Sequence, residues 1–213
     1  MRKATIAILL LVIIGIGFAV YLLQDESADV FDNEGRYDAS ILDDMGVLYS
    51  NRSDILAFNG GYSESDNCPW GDVHNGIDFI LANNSNVVAV APGRVEHIKL
   101  VDWGPYTWHR YIISVNIRFN ATVTIEYGFE PITNSTEDQL QQLAMMNIEN
   151  GSWVEKGDII AKFLRVNEWA HIHFGVFDDN VARNPTLYMS TTAFNELLAM
   201  VHDFHPTWDI SYP

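Results

Sequence analysis

The chain has 213 residues, of which 28 are acidic and 12 are basic, so its formal net charge at neutral pH is −16. A surface this acidic repels nucleic acids and anionic lipid headgroups, and the composition therefore excludes nucleic-acid binding as a function class. Cys68 is the single cysteine, which rules out a disulfide within the chain.

The first segment of the chain has the pattern of a membrane anchor. Residues 4–23 carry no charge, and at about 1.5 Å per residue they would span about 30 Å, one hydrocarbon core. Arg2 and Lys3 precede this segment and acidic residues follow it, so the positive-inside rule predicts a cytoplasmic N-terminus and an extracellular remainder. A cleaved signal peptide is the alternative, but its apolar region is usually only about 7–15 residues long. We therefore expect a retained, single-pass transmembrane helix over residues 1–23.

The rest of the chain divides into three parts. Residues 24–59 are acidic and predict a stalk or linker with a short packed segment around residues 41–58. Residues 60–190 predict a β-sheet core, because β-branched and aromatic runs alternate with Gly, Pro and Asn. Residues 191–213 predict a C-terminal helix and tail. Without Arg2 and Lys3, ten basic residues remain against 28 acidic ones, so the exported part carries a net charge of −18.

Five runs in the core predict strands, and two segments predict helices. The strands are expected over residues 77–81, 87–91, 94–100, 111–118 and 122–127. Within the fourth run, Ile113, Val115 and Ile117 alternate with polar residues, a pattern that indicates one buried and one wet face. A capping pair, Thr136 and Gln139, predicts a helix that ends before residue 150, and a second apolar stripe predicts a helix over residues 192–202.

Two short motifs about ninety residues apart carry the chemistry. The first is H-x-x-x-D at His74 and Asp78, and the second is H-x-H at His171 and His173. An H-x-H on a strand places both imidazoles on the same face, because side chains alternate with period two. Gly76 permits a tight turn between His74 and Asp78. Three N or O ligands with an open fourth position are typical of catalytic zinc, although either motif alone also arises by chance.

The sequence segments around these motifs resemble a known family. After H-N-G-I-D-F at residues 74–79 come N-V-V-A-V-A-P-G-R-V at 86–95, V-E-K-G-D-I-I at 154–160, H-I-H-F-G at 171–175, and Asn184-Pro185 with Tyr188. Their order and spacing resemble the lysostaphin-like (LytM-type) zinc metalloendopeptidases, metallopeptidase family twenty-three, over residues 60–190. The resemblance implies a mainly β fold: a LytM-type β-sheet core built from a duplicated hybrid motif, with one or two short helices.

The resemblance also implies roles for the motif residues. Zinc, one ion per chain, would be bound by His74, Asp78 and His173. His171 would be the general base for the zinc-activated water that attacks a peptide bond. The function expected on this basis is a membrane-anchored extracellular zinc metalloendopeptidase that acts on a peptide or a cell-surface polymer. The alternative is a catalytically weakened member of the family that binds such a polymer or regulates a partner.

One catalytic position departs from the family pattern. A second active-site histidine normally lies in a Tyr-x-His-Leu word, and the matching stretch here, T-I-E-Y-G-F-E, has Phe129 in its place. Losing one oxyanion donor costs about 10²–10³ in rate in well-studied hydrolases. His97 and His109 are candidate substitutes, and Glu126 and Glu130 can supply a proton. For all four, an ordinary strand or surface role is the favoured interpretation.

The remaining candidates are aromatic residues, Cys68 and the glycosylation sequons. Trp103 and Trp108, with Phe129, are candidates for a substrate groove, although aromatic residues in β proteins more often serve packing. Cys68 lies six residues before His74, but a small buried residue or free thiol is favoured over a fourth metal ligand. Five Asn-x-Ser/Thr sequons are consistent with an extracellular glycoprotein, and they begin at Asn51, Asn83, Asn120, Asn134 and Asn150.

Overall fold

The computed structural model describes residues 42–105 and 108–213, which form twelve β-strands and two α-helices. The strands are β1 (Ile55–Gly60), β2 (Tyr62–Ser63), β3 (Ile77–Leu81), β4 (Asn86–Val88), β5 (Gly93–Asp102), β6 (Tyr111–Arg118), β7 (Val123–Glu130), β8 (Trp153–Val154), β9 (Ile159–Lys162), β10 (His171–Asp178), β11 (Val181–Arg183) and β12 (Ser211–Tyr212). The helices are α1 (Thr136–Ala144) and α2 (Thr191–Phe204), and short 3-10 turns occupy Arg52–Asp54 and Pro185–Tyr188. The predicted mainly β fold with one or two short helices is confirmed for this part of the chain.

One large antiparallel sheet organises the described residues. Its strand order is β1-β3-β10-β7-β6-β5-β8, and β11 pairs with β10 at one end. Two small sheets accompany it, an antiparallel pair of β4 with β9 and a parallel pair of β2 with β12. The central strands β10, β7 and β6 pair over six to eight residues, so their relative register is firmly defined.

The two faces of the sheet differ in polarity. Ile113, Val115 and Ile117 of β6 are buried, as the alternation predicted, whereas the residues between them are partly exposed. Neighbouring strands add apolar side chains to the same buried face, among them Ile125, Tyr127, Phe129, Ile172, Phe174 and Val176. The opposite face carries polar side chains, and those of His171, His173 and Glu130 at the end where β10 begins are partly exposed.

Strand boundaries follow the predicted runs with two informative differences. The predicted strand over residues 87–91 ends at Val88, because the next backbone groups bond outside the ladder: Ala89 bonds with Asp158 and Gly157, and the Val90 N–H donates to the hydroxyl of Tyr127. Strand β7 extends three residues beyond the predicted end at 127 and reaches Glu130. This extension carries Glu130 into register with the first residue of β10.

Both helices begin at a serine. The hydroxyl oxygen of Ser135 accepts a hydrogen bond from the backbone N–H of Asp138, and that of Ser190 accepts one from Ala193. The first capping residue is therefore one position before the predicted Thr136, and the predicted partner Gln139 is buried instead. Helix α2 begins one residue earlier and ends two residues later than predicted.

The folded unit begins before the predicted linker ends. Leu42, Met45, Leu48 and Phe58 are buried in the core, and β1 pairs with β3. From residue 42 onward, the acidic stretch predicted as a linker over 24–59 thus holds part of the fold. The predicted anchor over residues 1–23 lies outside the described residues. Among residues 42–105 and 108–213, no helix is long and apolar enough to cross a bilayer.

Four of the five sequon asparagines are exposed and one is not. Asn120 is only 8% exposed, and its side-chain oxygen accepts hydrogen bonds from the backbone N–H groups of Thr122 and Val123. Because Asn120 is buried in this turn between β6 and β7, a glycan cannot be attached to it in this fold, and the expectation for Asn120 is corrected. Asn51, Asn83, Asn134 and Asn150 lie at the surface.

Candidate metal centre

Two of the predicted metal ligands meet because their strands are neighbours. Asp78 of β3 and His173 of β10 are direct cross-strand partners, and side chains of such pairs lie on the same face with their Cβ atoms about 5 Å apart. The Nδ1 atom of His173 lies 2.9 Å from Oδ1 of Asp78. The register of one strand pair therefore places a nitrogen and an oxygen donor side by side.

His74 completes the group from the segment that leads into β3. A β-bridge pairs its backbone with Ser63, and its ring Nδ1 lies 2.7 Å from the carbonyl oxygen of Gly61. A carbonyl only accepts, so Nδ1 carries the proton and Nε2 presents its lone pair. Nε2 lies 3.2 Å from Nδ1 of His173 and 3.3 Å from Oδ1 of Asp78.

The spacing of these three atoms suits a tetrahedral metal ion. Zn²⁺ with bonds of about 2.0–2.1 Å in a regular tetrahedron has ligand atoms about 3.3 Å apart, and the observed separations are 2.9, 3.2 and 3.3 Å. In the described part of the chain, His74, Asp78 and His173 are the one group of His, Cys, Asp and Glu side chains that could hold an ion. Their side chains remain 17–19% exposed, which leaves one side open for a fourth ligand.

Gly76 has a steric role beside the metal site. A Cβ atom at this position would lie 2.5 Å from the His173 ring and 2.6 Å from the carbonyl oxygen of Phe174. The chain bends at Asn75 and Gly76, and Gly76 does not need a positive φ to make this bend. The glycine is required because the His173 ring packs directly against its backbone.

The electrostatics of the group favour a bound cation. Burial opposes ionisation of Asp78, but its contacts with the imidazoles of His173 and His74 hold the pKa of its carboxyl well below its usual value. Burial also opposes a charge on His74, yet the hydrogen bond and charge of Asp78 raise the pKa of His74. An ionised carboxylate that attracts positive charge to this point is what a divalent ion requires.

His171 lies beside the ligand group and outside it. Its Nδ1 is 2.8 Å from the carbonyl oxygen of Trp169, so Nδ1 is the protonated nitrogen and Nε2 is the basic one. Nε2 lies 3.7 Å from Oδ2 of Asp78 and 3.5 Å from Oε2 of Glu130. The basic nitrogen of the imidazole therefore faces Asp78 of the ligand group and Glu130.

Glu130 lies beside His171, although the sequence favoured an ordinary strand or surface role for it. It is the cross-strand partner of His171, and its side chain is 19% exposed. Burial raises the pKa of the Glu130 carboxyl, against the opposing charges of His171 and His173. A solvated strand-end charge was the favoured interpretation, but β7 continues far enough to bring this carboxyl to the site.

The sequence model of Peptidase family M23 matches residues 72–185, which include all four motif residues. The chain belongs to peptidase family M23. This family is the one that the motifs resembled, and its enzyme class is the predicted one, the zinc metalloendopeptidases. A search of curated proteins found no match.

Several solved structures are similar to the chain. Helicobacter pylori Csd3 is 20% identical, with a TM-score of 0.46, over 70% of this chain and 34% of Csd3. The catalytic domain of a mutant of the prophage-encoded M23 protein EnpA from Enterococcus faecalis is 18% identical, with a TM-score of 0.43, over 62% of this chain and 90% of that domain. Lysostaphin from Staphylococcus simulans is 16% identical, with a TM-score of 0.40, over 71% of this chain and 58% of lysostaphin. The chain thus spans about a third of the length of Csd3.

Phe129 does not line the site of this M23 chain. It is fully buried and pairs across the sheet with Ile172. Because side chains alternate, Phe129 lies on the core face, while Gly128 and Glu130 lie on the face of His171 and His173. The expectation that Phe129 contributes to a substrate groove is therefore corrected.

The other candidates divide between the site and its surroundings. Trp103 and Trp108 are 60% and 64% exposed and lie in the β5–β6 connection. This connection lies at the same end of the sheet as Glu130, because Ile113 near the start of β6 pairs with Phe129. His109, in the same connection, is close enough for its charge to lower the pKa of Glu130.

His97 lies away from the candidate centre, and Cys68 is outside its ligand group. His97 pairs with Asn116, and Asn116 pairs with Glu126. Glu126 lies four residues before Glu130 in β7, so at about 3.3 Å per residue His97 is about 13 Å from the level of Glu130 along the strands. The Cys68 sulfur lies 3.3 Å from the carbonyl oxygen of Asp72. Cys68 does not belong to the metal-ligating group.

Replacing Phe129 by histidine tests this assignment of faces. Phe129→His would put an imidazole into the apolar core, where a polar group without a partner costs about 1–3 kcal/mol in addition to the lost apolar packing. We expect a lower free energy of unfolding in urea and no gain in peptidase activity. Phe129→Leu, which keeps the site apolar, should lose less stability. A stable Phe129→His protein with increased turnover would show that residue 129 faces the site.

Proposed function

We propose that this chain is a zinc metalloendopeptidase in which His74, Asp78 and His173 bind one Zn²⁺ and His171 is the general base. The observation that supports this most strongly is the triangle of donor atoms, 2.9, 3.2 and 3.3 Å apart, with the basic nitrogen of His171 beside it. The Nδ1 of His74 donates a hydrogen bond to the Gly61 carbonyl. Such a bond orients a metal-ligating imidazole.

The residues divide the work of hydrolysis. Zinc, when bound, supplies a Lewis acid that polarises the scissile carbonyl and makes water acidic enough to react at neutral pH. The Trp169 carbonyl holds the Nδ1 proton of His171, so Nε2 is free to take a proton from the attacking water. The same hydrogen bond fixes the ring plane, which keeps Nε2 directed at the site.

We propose a peptide, or a peptide within a cell-surface polymer, as the substrate. The family assignment supports this class, and the site lies on the polar face of the sheet, where the side chains of His171 and Glu130 are partly exposed. Trp103 and Trp108 are exposed at the same end of the sheet and offer flat apolar surfaces to such a chain. The net charge of −16 disfavours polyanionic substrates.

Metal analysis of purified variants tests the ligand set. We expect about one zinc per wild-type chain and its loss in His74→Ala, Asp78→Ala and His173→Ala, because each change removes one of only three protein ligands. His171→Ala should retain most of the zinc, since groups outside the ligand set change affinity only about 10–100-fold.

Turnover measured on the same preparations completes this test. A peptide library should reveal bonds that the zinc-loaded wild type cuts and that His171→Ala cuts at least about 100 times more slowly, because a general base contributes about 10²–10⁴ in rate. Stoichiometric zinc in His74→Ala would show that the ligand set is wrong.

A binding module is the second candidate function. The family has a catalytic histidine in its Tyr-x-His-Leu motif, but this chain has Phe129 at that position, and its ring is buried. The missing histidine favours a protein that binds without cutting. Such a protein would hold zinc and bind a surface polymer without cutting it. A zinc-loaded wild type that binds wall polymers but releases no peptide fragment would support this function over hydrolysis.

We propose that residues 4–23 anchor the domain outside the cell. The support is the charge step in the sequence, with Arg2 and Lys3 before the apolar segment and acidic residues after it. Protease added to intact cells should remove the folded domain and leave a short fragment in the membrane. Lysed cells serve as the control for protease access, and a domain that is cut only after lysis would contradict this topology.

A further inference from the structure

A second proton-carrying group faces the ligand site from β7. We propose that Glu130 is a catalytic residue that carries the proton from His171 to the nitrogen of the leaving amine. This role rests on the proposed hydrolytic function and adds to it the group that donates the proton at the end of the reaction. The evidence is the register of β7 with β10, the orientation of the His171 ring and the close packing at Gly128.

The register puts Glu130 next to the base. Glu130 and His171 are direct partners across the β7–β10 ladder, so their side chains share one face of the sheet. Oε2 of Glu130 lies 3.5 Å from Nε2 of His171, slightly longer than a hydrogen bond. A small rotation of the Glu130 side chain brings the two atoms within proton-transfer distance.

The orientation of His171 directs its transferable proton toward Glu130. Nδ1 is engaged with the Trp169 carbonyl, so a proton taken up during the reaction resides on Nε2. Two carboxylates are near that atom. Oδ2 of Asp78 is 3.7 Å away, and Asp78 is already bound to His173 and His74 through Oδ1. Glu130 is both the nearer carboxylate and the one outside the ligand group.

Gly128 allows the Glu130 carboxyl to lie close to the ligand group. It lies opposite His173 in the ladder, and a Cβ atom there would be 3.3 Å from the His173 Cβ and 3.6 Å from Oε1 of Glu130. A larger side chain at 128 would project between the ligand group and the Glu130 carboxyl. Glycine at this position therefore keeps the Glu130 carboxyl on the same side of the ladder as His173, with no side chain between them.

The proton balance of the reaction closes through these two residues. Water gives one proton to Nε2 of His171 as its oxygen forms a bond to the carbonyl carbon. The imidazolium passes that proton to Oε2 of Glu130, and Glu130 delivers it to the amide nitrogen as the carbon–nitrogen bond breaks. The products are a carboxylic acid and an amine, and both side chains return to their starting states.

Glu126 provides a matched control on the same strand face. It lies four residues before Glu130, about 13 Å away along the strand, and its Oε1 accepts a hydrogen bond from the Ser114 hydroxyl at 2.7 Å. Glu126→Gln and Glu130→Gln therefore make the same chemical change on the same surface, near and far from His171. Glu130→Asp keeps a carboxyl group and tests whether a shorter acid restores function.

The experiment measures turnover by zinc-loaded full-length proteins on a peptide that the wild type cuts. Glu130→Gln should keep its zinc and its thermal stability and lose about 100-fold or more in kcat. Its KM should change by less than about threefold, because the proton transfer belongs to the transition state. Glu130→Asp should recover part of the loss, and Glu126→Gln should match the wild type.

Equilibrium binding gives a readout that does not depend on turnover. The probes are alanylalanine, which has a free amine like the released product, and its N-acetyl form, both measured by calorimetry. A carboxylate beside the amine position should favour the free amine about tenfold, the scale of a charge-assisted hydrogen bond. Glu130→Gln should remove most of this preference, whereas Glu126→Gln should retain it.

Each outcome decides the role of Glu130. Wild-type turnover or an unchanged amine preference in Glu130→Gln would overturn it while leaving the proposed function in place. Loss of turnover in His109→Gln but not in Glu130→Gln would assign proton donation to His109 and overturn it as well. A zinc-loaded wild type that cuts no peptide would overturn the proposed function, and this role with it.

Discussion

The pairing of Asp78 with His173 across β3 and β10 is the constraint on which the rest of the site depends. It sets two donor atoms 2.9 Å apart and fixes which face of each strand carries the chemistry. A slip of one residue in this register would turn Asp78 to the core and bring an apolar side chain to the site. The long β10–β7 ladder, with eight paired positions, resists such a slip. It also places Glu130 directly opposite His171.

The sheet separates stability from chemistry by its two faces. Phe129, Ile172 and Tyr127 pack on the core side, and the Tyr127 hydroxyl accepts the backbone N–H of Val90. His171, His173 and Glu130 alternate with those residues and lie on the opposite, polar face of the sheet. Glycines complete the arrangement where a side chain would not fit: Gly76 beneath the His173 ring and Gly128 opposite His173.

Much of the site could be predicted from short motifs, because spacing on a strand determines the face of each residue. H-x-H predicted two imidazoles on one face, and β3 and β6 follow the predicted runs. The roles of residues 128–130 could not be predicted in this way. Whether position 129 or 130 faces the site depends on how far β7 continues and on its register with β10, and both are set by long-range pairing. The steric role of Gly76 likewise follows from the approach of a ring about a hundred residues away in sequence.

X-ray absorption at the zinc edge of the zinc-loaded protein tests the central claim most directly, because it reports the atoms that surround the metal. The account predicts a first shell of light atoms only, at about 2.0–2.1 Å, with the outer-shell signature of two imidazole rings. His171→Ala should leave that spectrum unchanged, since His171 lies outside the ligand group. A sulfur neighbour at about 2.3 Å, or a third imidazole that disappears in His171→Ala, would contradict the assignment of His74, Asp78 and His173 as the ligands.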